Sequence, residues 1–161
     1  MKRTCMLVMS VVLSAFSGTA FASPQHDDSA MNHRGDHVMG FDHDKTTHHF
    51  ALTKNGGVIQ VQANDASDSV SRDHIRMHLE HIVKAFAAGD FEDPMEVHAQ
   101  VPPGVPVMKE SKTKISYRYE SIDRGGKVVI QSDNAEAVNA VHDYLRFQIQ
   151  EHKTGDPLTV Q

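Results

Sequence analysis

The chain has one cysteine, Cys5, and it lies near the start of the apolar run from Cys5 to Phe16. Past that run there is no thiol, so disulfides, thiolate metal ligands and a cysteine nucleophile are all excluded there. The run is also too short to span a bilayer. Sharper catalytic signatures are missing as well: there is no Gly-x-Ser-x-Gly elbow, no P-loop and no dinucleotide-binding glycine pattern. His74-Ile-Arg-Met-His78 has the histidine spacing of a zinc protease helix, but Ile75 stands where the general-base glutamate must be. Basic residues are in short supply too, and an acidic chain argues against a nucleic-acid partner.

What stands in place of these is a leader and an abundance of histidine. Met1-Lys-Arg, the apolar run and Ala20-Phe21-Ala22 before Ser23-Pro24 have the three parts of a secretory signal peptide, with cleavage expected after Ala22. Cys5 precedes the position a lipidated cysteine would occupy, so the expectation is a soluble protein of the periplasm or the medium. Loss of residues 1–22 would leave 139 residues (161 − 22) with 14 basic and 21 acidic side chains, because Lys2 and Arg3 depart with the leader. One domain of that size can bury a sufficient core without disulfides. All 12 histidines remain, as do Met31, Met39, Met77, Met95 and Met108. In a thiol-free chain, imidazole and thioether are the ligands left for a soft or borderline metal. That suits copper, with zinc or nickel as alternatives for imidazole.

Residues 23–44, SPQHDDSAMNHRGDHVMGFDHD, carry few large apolar side chains and predict a flexible His/Met-rich arm. Residues 45–157 predict a single domain. Thr46 to Ala63 holds two β-favouring runs around Asn55-Gly56, a strong hairpin signal. Alternation places Phe50, Leu52 and His48 on the covered side of the first strand and His49 on the open side. A helix follows from about Val70 to Ala88, stopped by Gly89-Asp90, with Ile75, Leu79, Ile82, Val83 and Phe86 on its core stripe. Phe91 to Lys112 carries four prolines and predicts an irregular, functional loop. Ile115, Tyr117 and Tyr119 then alternate, Asp123-Arg-Gly-Gly126 turns, and Asp133-Asn134 caps a second helix from Ala135 to about Lys153.

The pattern repeats. Gly56-Gly57-Val-Ile-Gln-Val-Gln-Ala-Asn-Asp65 matches Gly125-Gly126-Lys-Val-Val-Ile-Gln-Ser-Asp-Asn134 at a spacing of 66 to 69 residues, and each copy leads into a helix that ends at Gly-Asp. Two ββα halves, about 46–90 and 113–156, predict an α+β fold: a four-stranded, mainly antiparallel sheet with two helices on one face. Thr46-Thr-His-His-Phe50 and the segment from His142 to Asp156 resemble a family of uncharacterised exported bacterial proteins, over roughly Met39 to Pro157. That resemblance implies a shared fold and no particular activity.

His74, His78 and His81 stand at i, i+4 and i+7 on one helix face, a spacing that permits chelation and equally describes a solvated face carrying histidines. His48 from the sheet, His78 or His81 from the first helix, His142 from the second and His98 from the long loop could converge, with Met95 or Met108 as soft ligands. The candidate metal set is therefore His48, His49, His78, His81, His98 and His142, with His74 and His152 behind them. A histidine on a core-facing position is more often simply packed, which applies above all to His152. Copper binding, transfer or tolerance is the leading expectation, exchanging the ion with a metal-delivering or metal-receiving protein and without enzymatic turnover. A small hydrolase using histidine acid/base chemistry, or a binding module for haem or a small anion near Arg146, are the alternatives. Ala140, Tyr144 and Phe147 form a second partly apolar face on the last helix, suited to a homodimer contact or to further core.

Overall fold

The computed structural model describes residues 28–161; the leader, its cleavage position and His26 lie outside the described residues. Among those residues there are five α-helices and one sheet. The helices are α1 (Asp28–Met39), α2 (Ser69–Ala88), α3 (Glu92–His98), α4 (Val105–Glu110) and α5 (Ala135–Glu151), and the strands β1 (Thr46–Thr53), β2 (Gly56–Ala63), β3 (Ser116–Ile122) and β4 (Gly125–Gln131). The fold is α+β, with two ββα units forming one four-stranded antiparallel sheet in the order β1-β2-β4-β3.

Register follows from the alternation of apolar side chains. Leu52 faces Gly57, Phe50 faces Ile59 and His48 faces Val61 across the first hairpin. Gly57 in turn faces Ile130, and Val61 faces Gly126, where the two halves meet. All of these lie on the helix-covered side. Each long helix lies over the other half's hairpin, α2 on β4 and β3 and α5 on β1 and β2. Two glycines make this possible: a Cβ on Gly126 would sit 3.2 Å from Leu79 of α2, and one on Gly57 would sit 2.2 Å from Leu145 of α5. Bare backbone at these two points lets each helix settle on the sheet.

The caps agree with the residues that supply them. Asp68 accepts the Ser71 N–H at 2.9 Å to begin α2, and Gly89 ends it with φ 81°. Asn134 accepts the Ala137 N–H at 3.0 Å to begin α5. The first hairpin differs from its expected geometry. Its turn residues are Lys54 and Asn55, neither with positive φ, and Gly56 (φ 147°) opens β2 because a Cβ there would meet the Ile130 carbonyl oxygen at 2.0 Å. Close approach of β4 and the positive φ at the start of β2 both require this glycine.

Two segments differ more. Residues 28–39, expected as a flexible arm, form α1, which packs on α3. Met31 and the following Phe41 are buried, and the Arg34 Nε–H donates to the carbonyls of Val97 (2.9 Å) and Glu96 (3.2 Å) at the end of α3. A polar helix is thus ordered by a few anchoring side chains. Residues 91–112, expected as irregular, contain α3 and α4. Pro94 fits the first turn of α3, where the missing N–H would have no helical partner, and Gly104 (φ 82°) lets α4 approach α5, since a Cβ there would meet the Ala140 carbonyl at 2.0 Å. That packing covers much of the second apolar face of α5: Ala140 and Tyr144 are core residues, as the further-core alternative has it, while Phe147 is half-buried. No helix among the described residues is long and apolar enough to cross a membrane.

Candidate functional site

The inward alternation of β1 carries His48 to the end of the sheet where the core is least filled. There its ring stacks on that of His152, just past α5, with centroids 5.4 Å apart and planes 10° from parallel. His152 meets His98 edge-on at 5.2 Å. Phe41 stacks on His48 at 6.1 Å and meets His78 edge-on at 5.8 Å. His48, His78, His98 and His152 line one cleft of about 70 Å³, whose other walls include Phe50, Val61, Ile82, Phe86 and the Met39 side chain. Two further hollows adjoin it. One, under α1, shares His48, His152 and Met39; the other, outside α2, shares His78 and Met39.

Packing governs the electrostatics. Burial lowers the pKa of His48 to about 4, helped by His49 and His43. Burial lowers His78 to about 4, with His81 and His48 adding to it. For His152 burial, then His48 and His98, bring the value to about 3. These three residues keep part of their surface exposed, but the ring surroundings are dry enough that imidazolium is disfavoured at neutral and mildly acidic pH. Among the described residues their ring nitrogens make no hydrogen bond or ion pair to protein. His98 is held differently: Nε2 lies 3.1 Å from Gln148 Oε1, and Nδ1 lies 3.6 Å from a Glu151 carboxylate oxygen. The cleft therefore presents several neutral imidazoles to one small apolar space.

The rings are gathered but not closed on a point. Among the described residues, the set with three ligand atoms within 4.8 Å of one another is Asp36, Asp42 and His43, not the cleft histidines. Both ring nitrogens of His43 already engage carboxylates, Asp36 at 2.9 Å and Asp44 at 3.2 Å, and Asp36 also accepts the His43 backbone N–H at 2.8 Å. These contacts explain that trio as the clasp joining α1 to β1.

Other expected residues lie apart from the cleft. His49 is on the opposite sheet face, its Nδ1 3.1 Å from Asp156, whose second oxygen accepts the Phe50 N–H at 2.9 Å. His142 is buried within α5, but its Nε2 lies 2.9 Å from the Thr53 carbonyl and 3.0 Å from that of Gly56. Facing two acceptors, that nitrogen carries the hydrogen and donates to both, so His142 fastens α5 to the first hairpin. His81 sits on the outer rim, Nε2 3.4 Å from Asp93, and His74 is exposed beside it. Met108 is fully buried in the core, and neither it nor Met95 lines the cleft.

Composition singles out Met39 and His43 as members of a His/Met-rich arm without placing either beside the cleft, and it gives no sign of Phe41. The signal available was Val38-Met39-Gly40-Phe41, the one apolar cluster in that stretch. Compared with known proteins, the chain matches no family model, no curated sequence and no solved structure.

Proposed function

We propose that this chain binds a d-block metal ion in the cleft formed by His48, His78, His98 and His152, copper ahead of zinc or nickel, and acts by holding and passing on the ion rather than by turnover. The observation that carries the reading is the set of three imidazoles, His48, His78 and His152, that are kept neutral by their surroundings and make no hydrogen bond or ion pair to protein among the described residues. Ring nitrogens that no protein group engages are open to water or to an outside ligand. A metal ion can take the place of that water, and it requires the neutral ring. His98, held by Gln148 and near Glu151, resembles an oriented ligand with its outer partner in place. Loading requires side-chain rotation to bring the nitrogens onto one ion, and the open volume beside Met39 gives the rings room to turn. Export as a soluble periplasmic or secreted protein, read from residues 1–22, places such a chain where thiol-free copper ligands are useful.

Two other readings have less support. Acid/base catalysis works best when the catalytic pKa lies near the working pH, and values of about 3 to 4 leave His48, His78 and His152 weak bases. A cleft of about 70 Å³ holds an ion and a few waters, since water occupies about 30 Å³ in the liquid; a haem is far larger. Arg146, the cation proposed for an anion site, donates to the Leu158 carbonyl and to Asp143 instead.

The test is retention of metal after dialysis against Cu(II), Cu(I) under reductant, or Zn(II), read by elemental analysis. The full chain should keep stoichiometric copper. Replacing His48, His78 or His152 by Ala should weaken binding by about tenfold or more, which corresponds to about 1.4 kcal/mol or more. A wild-type protein that retains none of the three ions overturns the reading.

A further inference from the structure

The outer hollow has a composition of its own. α2 contributes His74, Met77, His78 and His81 to one wall, α1 contributes Met39, and Asp93 of α3 closes the end. Met77 is 61% exposed, so a thioether stands in water one helical step from three imidazoles. Residues three and four apart on a helix are surface neighbours, which puts Met77 beside both His74 and His81. Asp93 approaches Nε2 of His81 at 3.4 Å. A carboxylate on one ring nitrogen fixes the tautomer and leaves the lone pair on the other, the usual arrangement behind a histidine ligand.

Three members of this wall, His78, Met39 and Asp93, also line the inner cleft. Gly35 interrupts a short, polar α1, where glycine is worse than alanine by roughly 0.5–1 kcal/mol. A Cβ there would come within 3.1 Å of the Met39 methyl group. Met39 thus lies close against the bare backbone of α1 where the hollows meet.

We propose that this groove is a second, outer site for a soft monovalent d10 ion, Cu(I), which then passes into the inner cleft by exchange of ligands across His78 and Met39. The inference rests on the metal-binding reading of the cleft and adds to it the ion's oxidation state and its way in. Two thioethers with imidazoles and no thiolate favour Cu(I) over Zn(II), because thioether sulfur is a soft ligand. The transfer is substitution only: one donor leaves the ion as another attaches, and the oxidation state is unchanged.

Cu(I) held by the chromophoric chelator bicinchoninate, titrated with the full chain under reductant, reads both stoichiometry and affinity. Wild type should withdraw about two equivalents, and Zn(II) should occupy about one. Met77→Leu should remove the outer equivalent and leave the inner one at wild-type affinity. Leucine matches methionine in helix propensity, so circular dichroism and the urea midpoint should stay unchanged. Met39→Leu should weaken both equivalents by about tenfold, or about 1.4 kcal/mol. If Met77→Leu and Met39→Leu both titrate as wild type, the outer site is refuted and the inner cleft stands. Two equivalents of Zn(II) would refute the preference for a soft ion. A wild-type chain that takes up no Cu(I), Cu(II) or Zn(II) refutes both proposals together.

Discussion

Two rows of side chains cross the helix-covered face of the sheet, one at each end, and they occupy corresponding places in the two halves. In one, His48 of β1 faces Val61, Val61 faces Gly126, and α2 sets Leu79 on that glycine with His78 beside it. In the other, Tyr117 of β3 faces Ile130, Ile130 faces Gly57, and α5 sets Leu145 there with Tyr144 beside it. Histidine thus stands in the first half where tyrosine stands in the second. The tyrosine row is filled: Phe86 meets Tyr117 and Tyr144 edge-on at 5.7 and 6.0 Å and stacks on Phe91 at 4.3 Å. The histidine row keeps a cleft, whose inner wall is the near side of Phe86 and Tyr144. One backbone plan therefore serves both a packed end and an open one, and the open end is where the chain keeps side chains that can take a ligand.

The largest contrast lies in packing. Phe91→Ala should destabilise the protein by about 3–5 kcal/mol in urea denaturation, as for other large core truncations, because Phe91 is fully buried against Phe86 and Tyr144. His78→Ala should cost a small fraction of that, since it enlarges an existing opening. Equal losses would mean the two ends are packed alike.

Next in size is the dependence on pH, and the rows should fail in opposite directions. Unfolded imidazoles titrate near 6.5, whereas folded His48, His78 and His152 do so at about 4, 4 and 3. Between these limits the unfolded chain binds more protons. Stability from this row is full above pH 6.5 and is lost as pH falls toward 4. Burial raises the hydroxyls of Tyr117 and Tyr144, the second also through Tyr117 and Asp93, so their contribution is full below pH 10 and is lost as pH rises above it. Urea midpoints at pH 5, 7.5 and 10.5 should peak at the middle value, and substituting Gln for His48 and His152 should flatten the acid side alone.

The smallest expected effect comes from a histidine outside both rows. His49→Ala removes one partly exposed contact with Asp156, an interaction worth about 0–1 kcal/mol. Metal retention should be unchanged. A loss of binding would move the site to the other sheet face.

What could be read from residues alone divides along the range of the interactions. The inward side of His48 and the outward side of His49 follow from the two-residue period of a strand, and the stripe from Ile75 to Phe86 follows from helical spacing. The doubled Gly-Gly segments announced two similar halves. That Gly126 receives Leu79 and Gly57 receives Leu145 is a tertiary fact with no local signal. α1 was hidden for a related reason: its own surface is too polar to predict order, its partner α3 is far along the chain, and Phe41 beyond it is buried against His48 and His78. Pro94 obscured α3 in turn, and with it the reason His98 is buried. His142 reads as a candidate ligand because it borders a core stripe; the hydrogen bonds that hold its Nε2 reach two carbonyls far away in the chain, at Thr53 and Gly56.

The crossing of the helices carries one more consequence. Because α2 rests mainly on β3 and β4 while also reaching β2, and α5 rests on β1 and β2, each ββα half takes most of its cover from the other. A polypeptide severed between the halves, within residues 99–104, would yield two pieces, each missing the helix that roofs most of its hairpin and each finding that helix on the other piece. Mixed together, the two pieces should therefore reassociate.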